Sequence, residues 1–555
     1  MLTHSSPMPT AVTPDPHIKG FPCEMTFAQV LADKARRIPD KYFLHDLQDG
    51  RKWTYAQIDR DSAGLATGLA RAGIAYQDHV AVIMDNRAEQ LLAYFALGKL
   101  GAVTAPVNTA ARGDLLVYFL AHGDCSAVLV EEAFLARVLE VADRLPLLKR
   151  IFVLGEKGRS PVLPAQSGLR LLDLGPMLAC EPQPLPVMPL FSDLAFLMFT
   201  SGTTGPSKAI MMTQAHAFYW GWDYAVHHHY QPDDIAYVYL PLFHGNGWLC
   251  TSMGALMADA SVALAKRFSA SRFWQDVAAS GATVTNCLGA VASFLWAQAP
   301  SAAEREHRMR RMGVSPVPAF GAEFEKRFGV RIMTAYGLTD YCMATAYSAL
   351  SPRDKLGSCG PARMGVELRI ADEHDMPLPA GQAGEILIRS NNPWGSSLGY
   401  YKMAQASLDS RRNLWFHTGD RGHLDSDGYL YFKDRIKDAI RRRGENISAF
   451  EVEGVIASHP AVAAVAVYAV KADATEDEVA ASIVLRDGAA LTAEDLMAHC
   501  QKNLAYFMVP RYVEFVSALP MNLSQKIEKY ILRERAQAHL HEMWDRVAAG
   551  IELAR

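Results

Sequence analysis

The sequence predicts an α/β protein with a large multi-layer N-terminal region and a small α+β C-terminal region. Three observations carry this. The chain has 555 residues, too many for one compact core. Helical and strand patterns alternate through the first 400 residues. The pattern changes character after about residue 434.

The N-terminal elements come in order. Residues 26–37 and 55–72 have helical spacing, 79–84 is a short apolar strand, and 89–100 is again helical. Later, 236–240 and 329–333 read as strands, with 320–328 helical before the second. After the charged stretch Lys433-Asp434-Arg435-Ile436-Lys437-Asp438 comes a smaller series. It runs helix 450–458, strand 462–470, strand 480–485, helix 493–504, strand 512–516 and a C-terminal helix. The expected division is therefore 1–433, a hinge at 434–438, and 439–555.

Composition narrows the function classes. Hydrophobic residues are 50% and charged residues 21%, an ordinary globular balance. A net charge of −4 gives no polycationic face, so nucleic acid is not an expected partner. The eight cysteines form no CxxC pair and no zinc spacing, which suits reduced thiols of a cytoplasmic protein. Residues 1–21 are rich in Pro, Ser and Thr without an apolar centre, unlike a signal peptide. No apolar run is long enough to span a bilayer.

The most informative segment is Phe199-Thr200-Ser201-Gly202-Thr203-Thr204-Gly205-Pro206-Ser207-Lys208, which follows the apolar stretch 194–199. Glycines let backbone amides approach a phosphate. Thr200, Ser201, Thr203 and Thr204 add hydroxyl donors, and Lys208 adds a cation. It is not a Walker A loop, because no Gly-Lys-Ser/Thr ending follows the proper spacer.

This segment resembles the phosphate-binding loop of the adenylate-forming superfamily of acyl-CoA synthetases, firefly luciferase and peptide-synthetase adenylation domains. Further motifs follow in the family's order: Tyr336-Gly337-Leu338-Thr339-Asp340, His417-Thr418-Gly419-Asp420, Asp434-Arg435-Ile436-Lys437-Asp438 and Lys526-Ile527. The resemblance spans roughly residues 25 to 535. It implies helix-sandwiched sheets plus a barrel-like subdomain, capped by a small mobile domain. It also implies ATP, Mg²⁺ and coenzyme A as cofactors or cosubstrates, a small carboxylic acid as partner, and a monomer or homodimer.

The resemblance assigns roles. Thr200, Ser201, Gly202, Thr203, Thr204, Gly205 and Lys208 would hold phosphate, while Tyr336 and Gly337 would lie near adenine. Thr339 would meet the α-phosphate, and Asp420 and Arg435 the ribose. Gly313-Val314-Ser315-Pro316 sits where the family has a small-residue adenine-contacting loop. Asp340 stands where the family usually has glutamate holding Mg²⁺; it keeps the hard oxygen ligand but is one methylene shorter. Ser207, Ala209 and Gln525 also depart from the usual proline, glycine and glycine.

Lys526 would stabilise charge on the α-phosphate during adenylation. Lys437 matches the hinge about which the small domain rotates between two half-reactions. Gly444 matches the loop that helps form the thiol tunnel. Arg441, Arg442 and Arg443 have two readings of equal weight: contacts to the phosphates of coenzyme A, or a solvated charge run.

His244, in Pro241-Leu242-Phe243-His244-Gly245-Asn246-Gly247-Trp248, stands where amino-acid-activating relatives carry an aspartate. An α-amino acid would lack its counter-charge. His244 would line the path of acid and thiol, or else be a core histidine. Phe218, Tyr219, Trp220, Trp222 and Tyr224 divide between core and acyl pocket. The stretches Asn391-Asn392-Pro393-Trp394, Leu398-Gly399-Tyr400-Tyr401 and 440–448 most resemble the carnitine/crotonobetaine-CoA ligase branch. Carnitine-like acids stand beside medium-chain, aromatic and polycyclic acids as substrates. The rival functions are transfer of the adenylate to a carrier protein acting in trans, and a nucleotide-binding pseudoenzyme.

Overall fold

The computed structural model describes residues 25–156, 159–164, 168–200, 207–435, 440–442, 445–447, 449–471, 477–521 and 527–553. The chain divides into two compact units. The described residues of Met1–Thr200, Lys208–Leu368 and Ile388–Leu414 form one, and those of Arg369–Leu387 and Trp415–Arg555 form the body of the other.

The first unit is built on two seven-stranded sheets. One has the order Arg331–Met333, Arg311–Ser315, Val284–Leu288, Ile235–Val238, Ser261–Leu264, Tyr42–Asp46, Lys52–Thr54. The other runs Arg170–Asp173, Arg150–Leu154, Ala127–Glu131, His79–Ile83, Val103–Pro106, Leu194–Phe199, Ala209–Thr213. Neighbours are parallel except for the edge pairs 42–46 with 52–54 and 194–199 with 209–213.

Both faces of the central strands of each sheet are covered, which is why strands such as Val103–Pro106 and Ala127–Glu131 are almost wholly buried. Alternate residues serve different cores. From His79–Ile83, Val80 and Val82 join the central core, while Ala81 and Ile83 join an outer one. Ala236 and Val238 likewise face the centre, and Tyr237 faces away. The central layer holds the helices Phe27–Arg37, Tyr55–Arg71, Ala88–Leu100 and Gln214–His227. Thr26 and Thr54 start the first two with reciprocal capping boxes to Gln29 and Gln57. The outer cores lie under Gly113–His122 and Glu132–Glu140 on one side, and Phe273–Ser280 and Gly321–Phe328 on the other.

In the second unit, Phe416–Leu424 pairs antiparallel with Leu430–Arg435. A separate sheet runs Val462–Lys471, Asp477–Leu485, Tyr512–Phe515, Trp544–Asp545. Helices Ala449–Ala457 and Ala493–Asn503 bury Val452, Ile456, Leu496 and Met497 against it. The expected helices and strands thus recur, within a few residues at their ends. Among the described residues no helix is long and apolar enough to cross a membrane. The seven described cysteines are free thiols.

Candidate active site

Strand Leu194–Phe199 delivers the chain to Thr200, and the next strand begins at Ala209. Thr200 N–H donates to the Lys208 carbonyl at 3.0 Å, and Lys208 N–H donates to Thr200 Oγ1 at 3.2 Å. The two ends of the glycine-rich segment are therefore tied together. Ser201, Gly202, Thr203, Thr204 and Gly205 lie outside the described residues, as do Lys437, Gly444 and Lys526.

A distant segment completes this corner. Leu398 and Tyr401 N–H groups donate to Met211 and Ala209, and Met211 N–H donates to Gly399, each at 2.8–2.9 Å. That pairing places the Tyr400 ring 4.3 Å beneath the Lys208 ammonium, a cation–π contact. The Tyr400 hydroxyl hydrogen-bonds the Asp340 carboxyl. Burial pushes Asp340 up to about 6, against the opposing pull of Tyr400, Arg411 and Lys208. Its Oδ1 is buried without a hydrogen-bond partner among the described residues. Ser397 N–H donates to the Asp340 carbonyl at 2.8 Å, and Arg411 donates to Ser397 Oγ at 2.8 Å.

Thr339 and Asp340 sit on a tight hairpin, Gly337–Leu338 paired with Cys342–Met343. A Cβ at Gly337 would lie 2.2 Å from the Cys342 carbonyl oxygen, so the turn admits only glycine there. Tyr336 is buried before the hairpin; its N–H donates to Thr345 Oγ1 at 3.1 Å. Ser315, in the 313–316 segment, shares a 2.8 Å hydroxyl contact with Thr334.

Arg363 fixes the far side of the hairpin. It is wholly buried, donates to the Met343 carbonyl and, at 2.9 Å, to Met364, and lies 3.0 Å from Asp223. Asp223 belongs to the Gln214–His227 helix, every residue of which is buried. The aromatic residues Phe218, Tyr219, Trp220, Trp222 and Tyr224 are accordingly all interior. A Cβ at Gly245 would lie 2.0 Å from the Trp220 ring, so this glycine lets the backbone beside His244 close on the indole. His244 is half-buried with its ring 4.7 Å from Phe243. The chain then enters a π-helix, Asn246–Ser252, whose Thr251 and Ser252 hydroxyls bond carbonyls five residues back at 2.9 and 2.8 Å. Such wide turns concentrate at functional sites.

In the second unit Asp420 and Arg435 face each other across adjacent strands, with Nε 3.4 Å from Oδ1. Glu385 organises the turn before Asp420. It accepts from Gly419 N–H at 3.0 Å and lies 3.0 Å from His417 Nδ1. Arg442 departs from the solvated reading. It is 5% exposed, paired with Glu478 at 2.7 Å, and donates to the Phe507 carbonyl at 2.8 Å. It is a core cation of this unit.

Tyr400, Arg411, Arg363 and Glu385 were not singled out by the sequence. Only the Leu398-Gly399-Tyr400-Tyr401 stretch gave a signal, through its likeness to one branch.

Comparison with known proteins identifies the family of the chain. A family profile described as AMP-binding enzyme matches residues 31–401, and one described as AMP-binding enzyme C-terminal domain matches 451–526. A crotonobetaine/carnitine–CoA ligase from Salmonella heidelberg is 31% identical over 494 residues, covering 87% of this chain and 93% of the relative. The ligase of that name from Shigella dysenteriae is 30% identical, covering 86% and 92%. Among solved structures, ATP-bound MatB from Rhodopseudomonas palustris has a TM-score of 0.82 at 26% identity, covering 92% and 99%. The anthranilate CoA ligase AuaEII with anthranoyl-AMP has a TM-score of 0.85 at 23% identity, covering 94% and 99%, and matches in fold. With the large profile covering most of the chain and both units accounted for, the chain belongs to the AMP-binding enzyme family.

Proposed function

We propose that this enzyme is an ATP-dependent acid–CoA ligase working in two half-reactions. A carboxylate oxygen attacks the α-phosphorus of ATP, and the bond to the β-phosphate breaks to release pyrophosphate. The thiol of coenzyme A, after losing its proton, then attacks the acyl carbon, and AMP leaves. The observation that carries the reading is the Lys208–Tyr400–Asp340 cluster beside the Thr339 hairpin.

Lys208, set by the Thr200 clamp and the Tyr400 ring, supplies fixed positive charge for phosphate. Thr339 offers a hydroxyl from a rigid turn. Lys526 supplies the charge that stabilises the pentavalent phosphorus. Asp420 and Arg435 orient the ribose, and Tyr336 and Gly337 the base. The buried Asp340 oxygen fits Mg²⁺, which would neutralise phosphate charge when bound. His244 lines the path of acid and thiol. We assign residues 1–433 to ATP and acid binding and 439–555 to the cap, with Lys437 in the hinge at 434–438 and Gly444 in the thiol loop. The enzyme acts in the cytoplasm as a monomer or homodimer.

The test is a pyrophosphate-release screen over carnitine-like, fatty, aryl and polycyclic acids with ATP and Mg²⁺, with and without coenzyme A. Release that accelerates with coenzyme A, giving AMP and a thioester, is expected. Release indifferent to coenzyme A would instead indicate a carrier acceptor, and ATP binding without release on any acid a pseudoenzyme.

A further inference from the structure

The Gln214–His227 helix carries a polar stripe that the reaction above does not use. His216, Trp220, Asp223 and His227 recur every three to four residues, so they share one face. All four are buried. Both ring nitrogens of His216, Trp220 Nε1, Asp223 Oδ1 and His227 Nε2 have no hydrogen-bond partner among the described residues. Each such atom left bare costs on the order of 1–3 kcal/mol, so a hydrocarbon core does not account for the cluster.

The stripe lies between the segment expected to line the path of the acid and the hairpin expected to meet the α-phosphate. Trp220 packs against Gly245, next to His244. Asp223 pairs with Arg363, which holds the carbonyl of Met343 in the Thr339 hairpin. The charge of Arg363 also acts on His216 and His227.

The charge balance decides what kind of group fits. Arg363 is engaged at each nitrogen, by Met343, Met364, and Cys342 together with Asp223. Asp223 compensates it once ionised, above about pH 7, and burial keeps His216 and His227 neutral there. A net ligand charge would find no free counter-ion there. A neutral group that both donates and accepts would satisfy the stripe, and a group displacing water from it must reproduce the water's hydrogen bonds.

We propose that the acid activated by this enzyme carries an uncharged hydrogen-bonding substituent, a hydroxyl, oxo or amide group, received by His216, Trp220, Asp223 and His227. This rests on the ligase reading above and narrows its substrate class.

The experiment uses the full chain and matched acids. Butanoate is compared with 3-hydroxybutanoate and 3-oxobutanoate, hexanoate with 6-hydroxyhexanoate, and pentanoate with 4-carbamoylbutanoate; 4-(trimethylammonio)butanoate, which has no hydroxyl, and succinate serve as charged controls. Pyrophosphate release and calorimetric binding in the presence of a non-hydrolysable ATP analogue are both measured. At least one polar acid is expected to exceed its plain parent in kcat/KM and in affinity by about tenfold or more. His216→Phe and Trp220→Phe, checked for wild-type-like thermal unfolding, are each expected to cut that preference to below about threefold, with the plain parent gaining. Trp220→Phe keeps an aromatic ring and removes the N–H together with part of the indole's volume, and with its fold checked by thermal unfolding it remains informative should His216→Phe not fold.

Best turnover and binding of plain or charged acids overturns the proposal while leaving the ligase reading intact. A preference untouched by both variants overturns it as well, as does the absence of binding by every polar acid. Preferential polar binding without pyrophosphate release from any acid supports it and sinks the ligase reading instead.

Discussion

Tyr400 joins two groups that the motifs place far apart in sequence: its ring supports the Lys208 ammonium and its hydroxyl bonds Asp340. Removing the hydroxyl deletes one influence that holds the Asp340 carboxyl down. Tyr400→Phe should therefore slow pyrophosphate release by up to about tenfold, the worth of one hydrogen bond. Tyr400→Ala also loses the cation–π contact, worth about 0.5–2 kcal/mol, and should be slower still. Equal rates in wild type and Tyr400→Phe would remove this coupling. The sequence hid it for a physical reason. Tyr400 reaches Lys208 through pairing of 398–401 with 209–211, and such long-range pairing leaves no local periodicity. Lys208, Thr339 and Asp340 were legible because their chemistry is concentrated in contiguous motifs. Glu385 and Arg363 were not, since each acts through a fold contact some 20 to 140 residues away in sequence.

Elements were read more fully than contacts. Apolar runs located some strands of each large sheet, 79–84 and 194–199 in one and 236–240 and 329–333 in the other, and the capped helices began within a residue or two of expectation. Burial of the Gln214–His227 helix was less visible, because its histidines and aspartate do not look like core. Its histidines, with His228 at its C-terminal end, set a pH dependence. Burial, with nearby positive charge, holds His216, His227 and His228 at about 3, against an ordinary value of 6.5. Their depressed values contribute stability that is present above 6.5 and lost as pH falls towards 3. Asp223 runs the other way: burial raises it to about 7, so its contribution is present at low pH and lost as pH rises through 7. Between about pH 4 and 6 three protons oppose one, and stability should fall on acidification. His228→Phe should lower that slope by one proton, about 1.4 kcal/mol per pH unit, in urea unfolding at pH 5, 5.5 and 6. Parallel slopes would show that His228 is charged inside. The Thr339 hairpin gives a second test at this scale. Gly337→Ala forces a Cβ onto the Cys342 carbonyl, so it should cost about 1–3 kcal/mol of stability and slow adenylation together. Full activity in a stable Gly337→Ala protein would show that the turn can open without cost.

At the scale of the whole molecule, the proposed cycle asks the cap to serve both half-reactions, and the arginine run beyond the hinge tests which of its residues belong to the second. The three residues looked equivalent in sequence because a run of like charge says nothing about which side chain turns inward. The fold places one of them: Arg442 is spent on Glu478 and the Phe507 carbonyl. Removing one partner of a buried pair costs about 3–5 kcal/mol when the other is left uncompensated; Arg511, 3.9 Å from Glu478, softens that cost here. Arg442→Ala should thus lower stability and damage both half-reactions alike. Replacing Arg441 and Arg443 together leaves that pair untouched. If these two meet the phosphates of coenzyme A, their loss should raise the KM for coenzyme A by roughly tenfold, the worth of a charge-assisted hydrogen bond. Pyrophosphate release in the absence of coenzyme A should not change. Measuring the two rates on one preparation makes the split decisive, since misfolding lowers both and a lost phosphate contact lowers only the second. An unchanged KM would assign the phosphates to other residues and leave Arg441 and Arg443 as solvated charge.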